Sequence, residues 1–177
     1  PLGQEDFSSV ISEIKMIKPD VILNTINGSS NAAFFAQMNK EGLTAKDVPV
    51  MSFSISESEI EALRIEKLKG HFLTWNYFST IDTEKNNKFL NSYKEKYGDT
   101  AEVGDPEEAG YISVHLWAAA CEKAGTFEVE PVRIASKGLV AETPEGSVTI
   151  DGNNQHLYKK IRIGKINDDG KIHQVWA

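Results

Sequence analysis

The chain has 177 residues, of which 40% are hydrophobic and 25% are charged, a composition typical of a globular protein that buries a core. Its formal net charge is −7, which argues against a nucleic acid as partner, because nucleic-acid binding depends on clustered lysine and arginine side chains. The sequence contains no apolar run of about 18 residues, the minimum for a membrane-spanning helix.

The first half of the chain alternates between helix and strand patterns. Apolar residues recur at helical spacing from Phe7 to Ile17, and Pro19 ends this helix. Five further segments continue the alternation: a buried strand at 21–25, a helix at 30–41, a second buried strand at 49–53, a short helix that begins in a capping box at 56–59 and is broken by Gly70, and a strand at 71–77. Short connections of this kind predict an α/β fold with a parallel sheet and flanking helices.

The second half follows a different pattern. Helices are predicted at 82–97, 106–123 and 129–137, and strands without helices follow them. The inward face of the first of these helices is predicted to carry Phe89, Leu90, Tyr93 and Tyr97. "AETPEGSVTI" contains a Pro-Glu-Gly turn, and "NDDG" joins "YKKIRIGKI" to "KIHQVW" as a C-terminal β-hairpin. A chain that leaves one lobe, crosses to another and returns would have this order.

Uncharged polar residues follow the first two predicted strands. Because the carboxyl ends of parallel strands lie at one edge of a sheet, and helices that begin there offer free N–H groups, we predict a binding site for a small polar solute at this edge. Its predicted residues are Asn27, Gly28, Ser29, Ser30, Ser54 and Ser56. The alternative is that these side chains only cap helices, since serine and asparagine are preferred at helix N-caps.

No catalytic residue, metal ligand or cofactor is predicted. The four histidines are far apart in the sequence, and none pairs with cysteine or a carboxylate at a recognised metal spacing. No G-x-S-x-G, Walker or G-x-G-x-x-G motif occurs. Two groups of carboxylates are interpreted as solvated helix starts, which favour the positive end of the helix dipole: Glu57, Glu59 and Glu61, and Asp105, Glu107 and Glu108. The sequon Asn27-Gly28-Ser29 is interpreted as part of a loop rather than as a glycosylation site.

Several stretches of the chain, in collinear order, resemble one known family. They include "DVILNTINGSSNAAFF", "VPVMSFSISESEI", "HFLTWNYFSTIDTEKNNKFLNSYKEKYG", "DPEEAGYISVHLWAAACEKAG" and "TPEGSVTIDGNNQHLYKKIRIGKINDDG", with the final "VW". They resemble the receptors of urea and short-chain amide ABC transporters, which are type I periplasmic solute-binding proteins. The resemblance extends over essentially the whole chain.

The resemblance implies two α/β lobes joined by three crossings, with the ligand enclosed between them. It implies that this chain is the C-terminal half of a receptor, left by truncation or proteolysis: one periplasmic-binding-protein type I lobe and part of another. It places 1–75 in the second lobe, 76–137 as helices of the first lobe, and 138–177 as strands that return to the second lobe. Half of a receptor would expose sheet edges, so self-association or domain swapping is expected.

The family further implies a small neutral solute, urea or a short-chain amide, as ligand, and an ABC transporter permease as partner. It implies a periplasmic or extracellular location, at the membrane through the transporter. Ser54 stands where branched-chain amino-acid receptors of the superfamily place an acid for the ligand ammonium, which favours a neutral ligand, although Glu57 or Glu59 could substitute.

Three points stay open at the level of the sequence. Gly28-Ser29-Ser30-Asn31 departs from the Gly-Asp-Ser-Asn of the urea-type pattern, which implies a different amide or weaker binding. A cytoplasmic amide-sensing regulator of the same fold is an alternative to a transport receptor. An enzyme built on the same α/β sheet is an alternative of another class, with weak support because no nucleophile–base pair is visible.

Overall fold

The structure is a computed structural model that describes residues 3–63 and 68–177, without the side chains of residues 61 and 62. The helices in these ranges are α1 (Ser8–Ile17), α2 (Ser30–Lys40), α3 (Glu57–Leu63), α4 (Glu84–Tyr97), α5 (Asp105–Ala124) and α6 (Val129–Ser136). The strands are β1 (Ile22–Asn24), β2 (Val50–Ser52), β3 (Phe72–Trp75), β4 (Val140–Thr143), β5 (Gly146–Ile150), β6 (Leu157–Tyr158), β7 (Arg162–Ile166) and β8 (Ile172–Trp176). The predicted course of the short helix between Leu63 and Leu68 lies outside the described residues.

A five-stranded sheet has the strand order β1-β2-β3-β7-β8. β1, β2 and β3 are parallel, with Ile22 opposite Val50 and Met51 opposite Phe72. β7 is antiparallel to β3, and β8 is antiparallel to β7. The predicted parallel α/β sheet, its flanking helices and the C-terminal hairpin are therefore confirmed.

The main core packs helices against this sheet. Phe34, Phe35 and Met38 of α2 meet Val50 of β2 and Leu73 of β3, and all five are buried. This is the arrangement that the apolar residues at helical spacing in α2 predict, because one stripe of the helix must face the sheet. The packing fixes where β1 and β2 end and where α2 begins, and so fixes the loops at that edge.

A second sheet belongs to the helical part of the chain. β4, β5 and β6 form an antiparallel sheet of three strands, with the predicted Pro-Glu-Gly turn between β4 and β5. Leu116 of α5 packs against Val148 and Ile150 of β5, while Cys121 packs against Val132 of α6. Within 138–177, only β7 and β8 join the sheet of β1–β3, and the predicted division at 75 and 137 stays a prediction.

Some predicted buried residues are exposed. The strand at 21–25 was expected to be buried, but Val21 is 47% exposed and Leu23 is 64% exposed, because β1 lies at the edge of the described sheet. Tyr97 was expected to face inward and is 60% exposed, because it is the last residue of α4 and lies beyond the cluster formed by Tyr77, Phe89 and Val103. None of the helices among the described residues is both long enough and apolar enough to cross a membrane.

Candidate functional site

The loops that follow β1 and β2 meet at the carboxyl edge of the sheet. The Ser54 hydroxyl donates a hydrogen bond to the Ile26 carbonyl, and the Phe53 N–H donates to the Asn24 carbonyl at 3.1 Å. The parallel pairing of β1 with β2 causes this, since it brings both carboxyl ends to the same edge. The structure therefore brings together the two loops that hold the predicted site residues.

Two buried asparagines support these loops. The Asn24 side-chain N–H₂ donates to Asn31 Oδ1 at 2.9 Å and to Ser52 Oγ at 3.0 Å, while Asn24 Oδ1 accepts from the Ile26 N–H at 2.9 Å. The Asn31 N–H₂ in turn donates to the Ile26 carbonyl at 2.9 Å. Each bond satisfies a polar group that would be costly to bury alone, so the network holds the loop after β1 in one conformation.

In the loop after β1, the predicted site residues differ in exposure. Asn27, Gly28 and Ser29 are exposed at the tip, where Gly28 has a φ of 64°, a conformation that glycine adopts readily. Ser30 is the first residue of α2 and is 2% exposed, and its hydroxyl has no hydrogen-bond partner within the described residues. The side chain of Ser29, the N-cap, makes no capping hydrogen bond. Helix capping therefore does not account for the serines of this loop.

An open cleft of about 460 Å³ borders the same loop. Its walls include Thr25, Asn27 and Ser30 from the loop and Asp6 and Phe7 from the segment that enters α1. The exposed Asn27 side chain can both donate and accept a hydrogen bond, whereas the Ser30 hydroxyl is buried behind this wall.

The loop after β2 is held more tightly. The Trp75 indole N–H donates to the Ile55 carbonyl at 2.6 Å, and the Ser56 N–H donates to Glu59 Oε2 at 3.0 Å, as the predicted capping box requires. Ser56 is 1% exposed, and its hydroxyl lies 3.0 Å from Ser58 Oγ. Ser54 is partly exposed, so in this loop it is the more accessible of the two predicted residues.

The interpretation of the carboxylates as solvated is wrong for three of them. Glu57, Asp105 and Glu108 are buried, with exposed fractions of 7%, 7% and 0%. Burial raises the pKa of Glu57 to about 7, although the Ser79 N–H donates to its Oε1 at 2.7 Å. Nothing in the residue pattern indicates this burial, because an acidic residue in the first turn of a helix is usually solvated. The side chain of Glu61 lies outside the described residues.

The other two buried carboxylates lie where the chain crosses between its two parts, a region we call the junction: residues 76–80, 102–108, 144–145 and 159–162. Asp105 Oδ1 accepts hydrogen bonds from the N–H groups of Asn76 and Tyr77 at 2.9 and 2.8 Å. Arg162 donates to the carbonyls of Asn76 and Glu145. The first crossing, after β3, is thus tied to α5 and to the second crossing, before β7.

Ion pairs complete the junction. Lys159 Nζ lies 2.8 Å from Glu145 Oε1 and 3.7 Å from Glu108 Oε2. Burial, together with the nearby charge of Glu145, raises the pKa of Glu108 to about 7. No group of three or more side chains able to hold a metal ion occurs among residues 3–63 and 68–177.

A comparison with known protein families identifies the family of this chain. A sequence model of the family described as "Periplasmic binding protein domain" matches residues 1–177. The chain belongs to this family. The predicted resemblance is thereby confirmed at the level of type I periplasmic binding proteins, whereas its narrower form, the urea and amide receptors, is not distinguished by the comparison.

Two protein sequences and one solved structure are similar to this periplasmic binding protein domain. The Leu/Ile/Val-binding protein homolog 6 of Brucella melitensis biotype 1 is 25% identical over 179 residues, covering 98% of this chain and 46% of the relative. The limonene hydroxylase of Geobacillus stearothermophilus is 25% identical over 108 residues, covering 61% of this chain and 20% of that protein. The chain therefore spans less than half the length of either relative.

The third is a solved structure. The solute-binding protein of an ABC transporter from Rhodopseudomonas palustris BisB5, in complex with 3,4-dihydroxybenzoic acid, superposes with a TM-score of 0.85 at 23% identity, covering 100% of this chain and 49% of that one. At this identity the likeness shows that the fold is shared.

Proposed function

We propose that this chain is part of the solute-binding receptor of an ABC importer, and that it contributes one wall of a site for a small neutral solute, urea or a short-chain amide. The observation that carries the proposal is the meeting of two uncharged polar loops at the carboxyl edge of the sheet, where Ser54 bonds to the loop that holds Asn27 and Ser30. Such sheets bind ligands at this edge.

The chemistry of the loops favours a neutral ligand. Residues 27–31 and 53–56 contain no charged side chain. An amide presents one carbonyl acceptor and several N–H donors, all of which need partners once water is expelled. The exposed Asn27 side chain and the exposed Ser29 hydroxyl can both donate and accept, and the unpartnered Ser30 hydroxyl would become available if the loop moved.

The receptor acts by binding, without turning its solute over. A solute held between this wall and the rest of the receptor favours the closed form through its higher affinity for that form. The closed form then docks on the membrane permease, which places the protein in the periplasm or outside the cell. The regulator alternative uses the same binding step in the cytoplasm, and an export signal encoded by the gene would exclude it.

A branched-chain amino acid is the second candidate ligand, and the name of the Brucella relative favours it. That ligand carries an ammonium group, which requires a carboxylate in the site. The two nearest acids of the loop are poorly placed for it, since Glu57 is buried and Glu59 accepts from the Ser56 N–H. Asp6 borders the cleft, and its Oδ1 accepts from the Ser8 N–H at 2.9 Å. This makes the neutral ligand the better supported of the two.

Titration calorimetry of the protein encoded by the complete gene tests the assignment. We expect heat on addition of urea or acetamide, weaker binding in Asn27→Ala and Ser54→Ala, and unchanged binding in Asn87→Ala, an exposed asparagine of α4. The 177-residue chain alone is expected to bind weakly, because it supplies one wall of the site. Strong binding of leucine without binding of urea or acetamide would overturn the neutral ligand, and release of product from either amide would support the enzyme alternative.

A further inference from the structure

Glu57 is buried at the start of α3 without a compensating cation. Its Oε1 accepts the Ser79 N–H at 2.7 Å, whereas its Oε2 has no hydrogen-bond partner within the described residues. A carboxylate in this position would leave one charged oxygen both dry and unpaired, which is far more costly than burying a neutral carboxyl group. Hydrogen bonds from Ser79 and from its own N–H favour the ionised form, but burial outweighs them.

The carboxyl group lies where three segments of the chain meet. Ser79 belongs to the first crossing, and Gly104 precedes α5. A Cβ atom placed on Gly104 would lie 2.7 Å from the Cβ of Ser56 and 3.2 Å from Glu57 Oε2, so the Gly104 backbone lies directly against this corner of α3. The start of α3, directly after the loop that follows β2, is thus in contact with the segment before α4 at Ser79 and with the segment before α5 at Gly104.

We propose that Glu57 is a proton-operated latch: its neutral carboxyl holds the loop after β2 against Ser79 and Gly104, and its ionisation loosens that contact. Ionisation favours any rearrangement that lets water or a donor reach Oε2, and the Gly104 backbone packs close to this oxygen. Since Ser54 and Ser56 belong to the same loop, protonation also sets the position of two candidate site residues. This last step rests on the proposed function, whereas the latch itself does not.

The groups that face Glu57 do not supply a countercharge. Lys94 and Lys171 line a cleft of about 520 Å³ with Glu57, but both are exposed, so solvent screens their charge. The titratable and charged groups around it are Tyr77 in the first crossing, Glu102 before α5, Glu59 on α3, Lys94 on α4, and Asp169 and Lys171 in the β7–β8 turn, with Glu108 beyond Tyr77. The charge of Glu102 opposes ionisation of Glu57.

Amide NMR of the 177-residue chain over a pH series tests the latch, because the Ser79 N–H reports directly on the carboxyl group that it contacts. We expect the Ser79 resonance to shift with a midpoint near pH 7, with Ser54 and Ser56 following the same midpoint. Glu57→Gln should abolish that midpoint. Glu84→Gln is the matched control, since Glu84 is the first residue of α4 as Glu57 is of α3, but is exposed.

Two results would overturn the latch: a Ser79 resonance that does not move between about pH 5 and 9, and a midpoint that survives Glu57→Gln. If that variant does not fold, the carboxyl carbon resonance of Glu57 in the unaltered chain decides, and a midpoint at the ordinary value for glutamate refutes the proposal. None of these measurements uses a ligand, so their failure is distinguishable from failure of urea or acetamide to bind.

Discussion

At the scale of single residues, the asparagines near the candidate site have two different roles. Asn24 is 3% exposed and makes three hydrogen bonds with neighbouring groups, whereas Asn27 is exposed at the loop tip, where its side chain has one long bond of 3.4 Å to the Thr25 carbonyl. Asn24 therefore supports the loop from below, and Asn27 is available to a solute.

Asn24→Ala is expected to lower the free energy of unfolding by about 2–4 kcal/mol, because it leaves buried partners in Asn31, Ser52 and the Ile26 N–H unsatisfied. Asn27→Ala is the matched control and should change it by less than about 0.5 kcal/mol. Guanidinium chloride unfolding measures both, since urea is itself a candidate ligand and would bind the folded state. Equal effects of the two substitutions would show that the buried network does not support the loop.

The residues of the site were only partly predictable. The meeting of the loops after β1 and β2 followed from the sequence, because parallel strands end at one edge. The burial of Glu57 did not follow from the sequence. It depends on Ser79 and Gly104, which are distant from Glu57 in the sequence and lie against it only in the folded chain. Ser30 and Ser56 are 2% and 1% exposed, a burial that the sequence did not indicate, and their contact with a solute stays a prediction.

At the scale of elements, hydrophobic periodicity and turn residues predicted nearly every helix and strand in the described ranges. The predicted helix at 106–123 is α5, and the predicted hairpin around "NDDG" is β7 and β8. Periodicity could not predict how the strands are shared between two sheets. An alternating strand pairs equally well with several partners, and burial of the whole chain decides among them.

The long helix α5 offers a sharp test of local backbone effects, because it contains one glycine and is followed by another. Gly110 lies on its exposed face, and nothing lies within 4 Å of an added Cβ, so Gly110→Ala should stabilise the chain by about 0.5–1 kcal/mol. Gly125 caps the helix with a φ of 66°, so Gly125→Ala should destabilise it by about 1 kcal/mol. Thermal unfolding of both variants measures the two signs, and a loss of stability in Gly110→Ala would contradict the exposed position of that residue.

At the scale of the whole molecule, two buried carboxyl groups give the chain an unusual dependence on pH: Glu57, which contacts the junction, and Glu108, which belongs to it. Glu57 and Glu108 have folded-state pKa values of about 7, raised by burial from an ordinary value of 4.5. Between these values the folded chain binds more protons than the unfolded chain. Its free energy of unfolding therefore falls as pH rises, by at most about 1.4 kcal/mol per pH unit for each group.

His71 acts in the opposite direction at lower pH. It is 2% exposed, its Nδ1 accepts from the Val50 N–H at 3.0 Å, and burial lowers its pKa to about 4 from 6.5. Its folded form binds fewer protons than its unfolded form between these values, so it adds stability as pH rises through that range, and the gain fades above pH 6.5 as the unfolded-state histidine loses its remaining proton.

We therefore expect the net loss of stability to be steepest at about pH 6 to 6.5, where His71 of the unfolded chain has begun to lose its proton and the two carboxyls of the folded chain still hold most of theirs. Guanidinium chloride unfolding across neutral pH measures this, and Glu108→Gln should flatten the slope. Glu107→Gln is the control, because Glu107 is more exposed and caps the start of α5 by accepting the Gly104 N–H at 2.8 Å. Stability that rises across this range would refute the raised pKa values.

The exposed edge of the five-stranded sheet bears on how the molecule behaves at high concentration. β1 has a partner on one side only among the described residues, and Leu23 is 64% exposed on it. A free strand edge with apolar side chains is a template for pairing with another copy. Sedimentation velocity at several concentrations should show reversible self-association that Leu23→Lys reduces.

Met16→Lys is the control, because Met16 lies on the exposed face of α1, away from the edge, and is 78% exposed. This substitution removes a similar apolar side chain and should leave association unchanged. If both lysine substitutions reduce association equally, exposed apolar surface in general drives the association rather than the β1 edge. A monomer at every concentration would refute self-association.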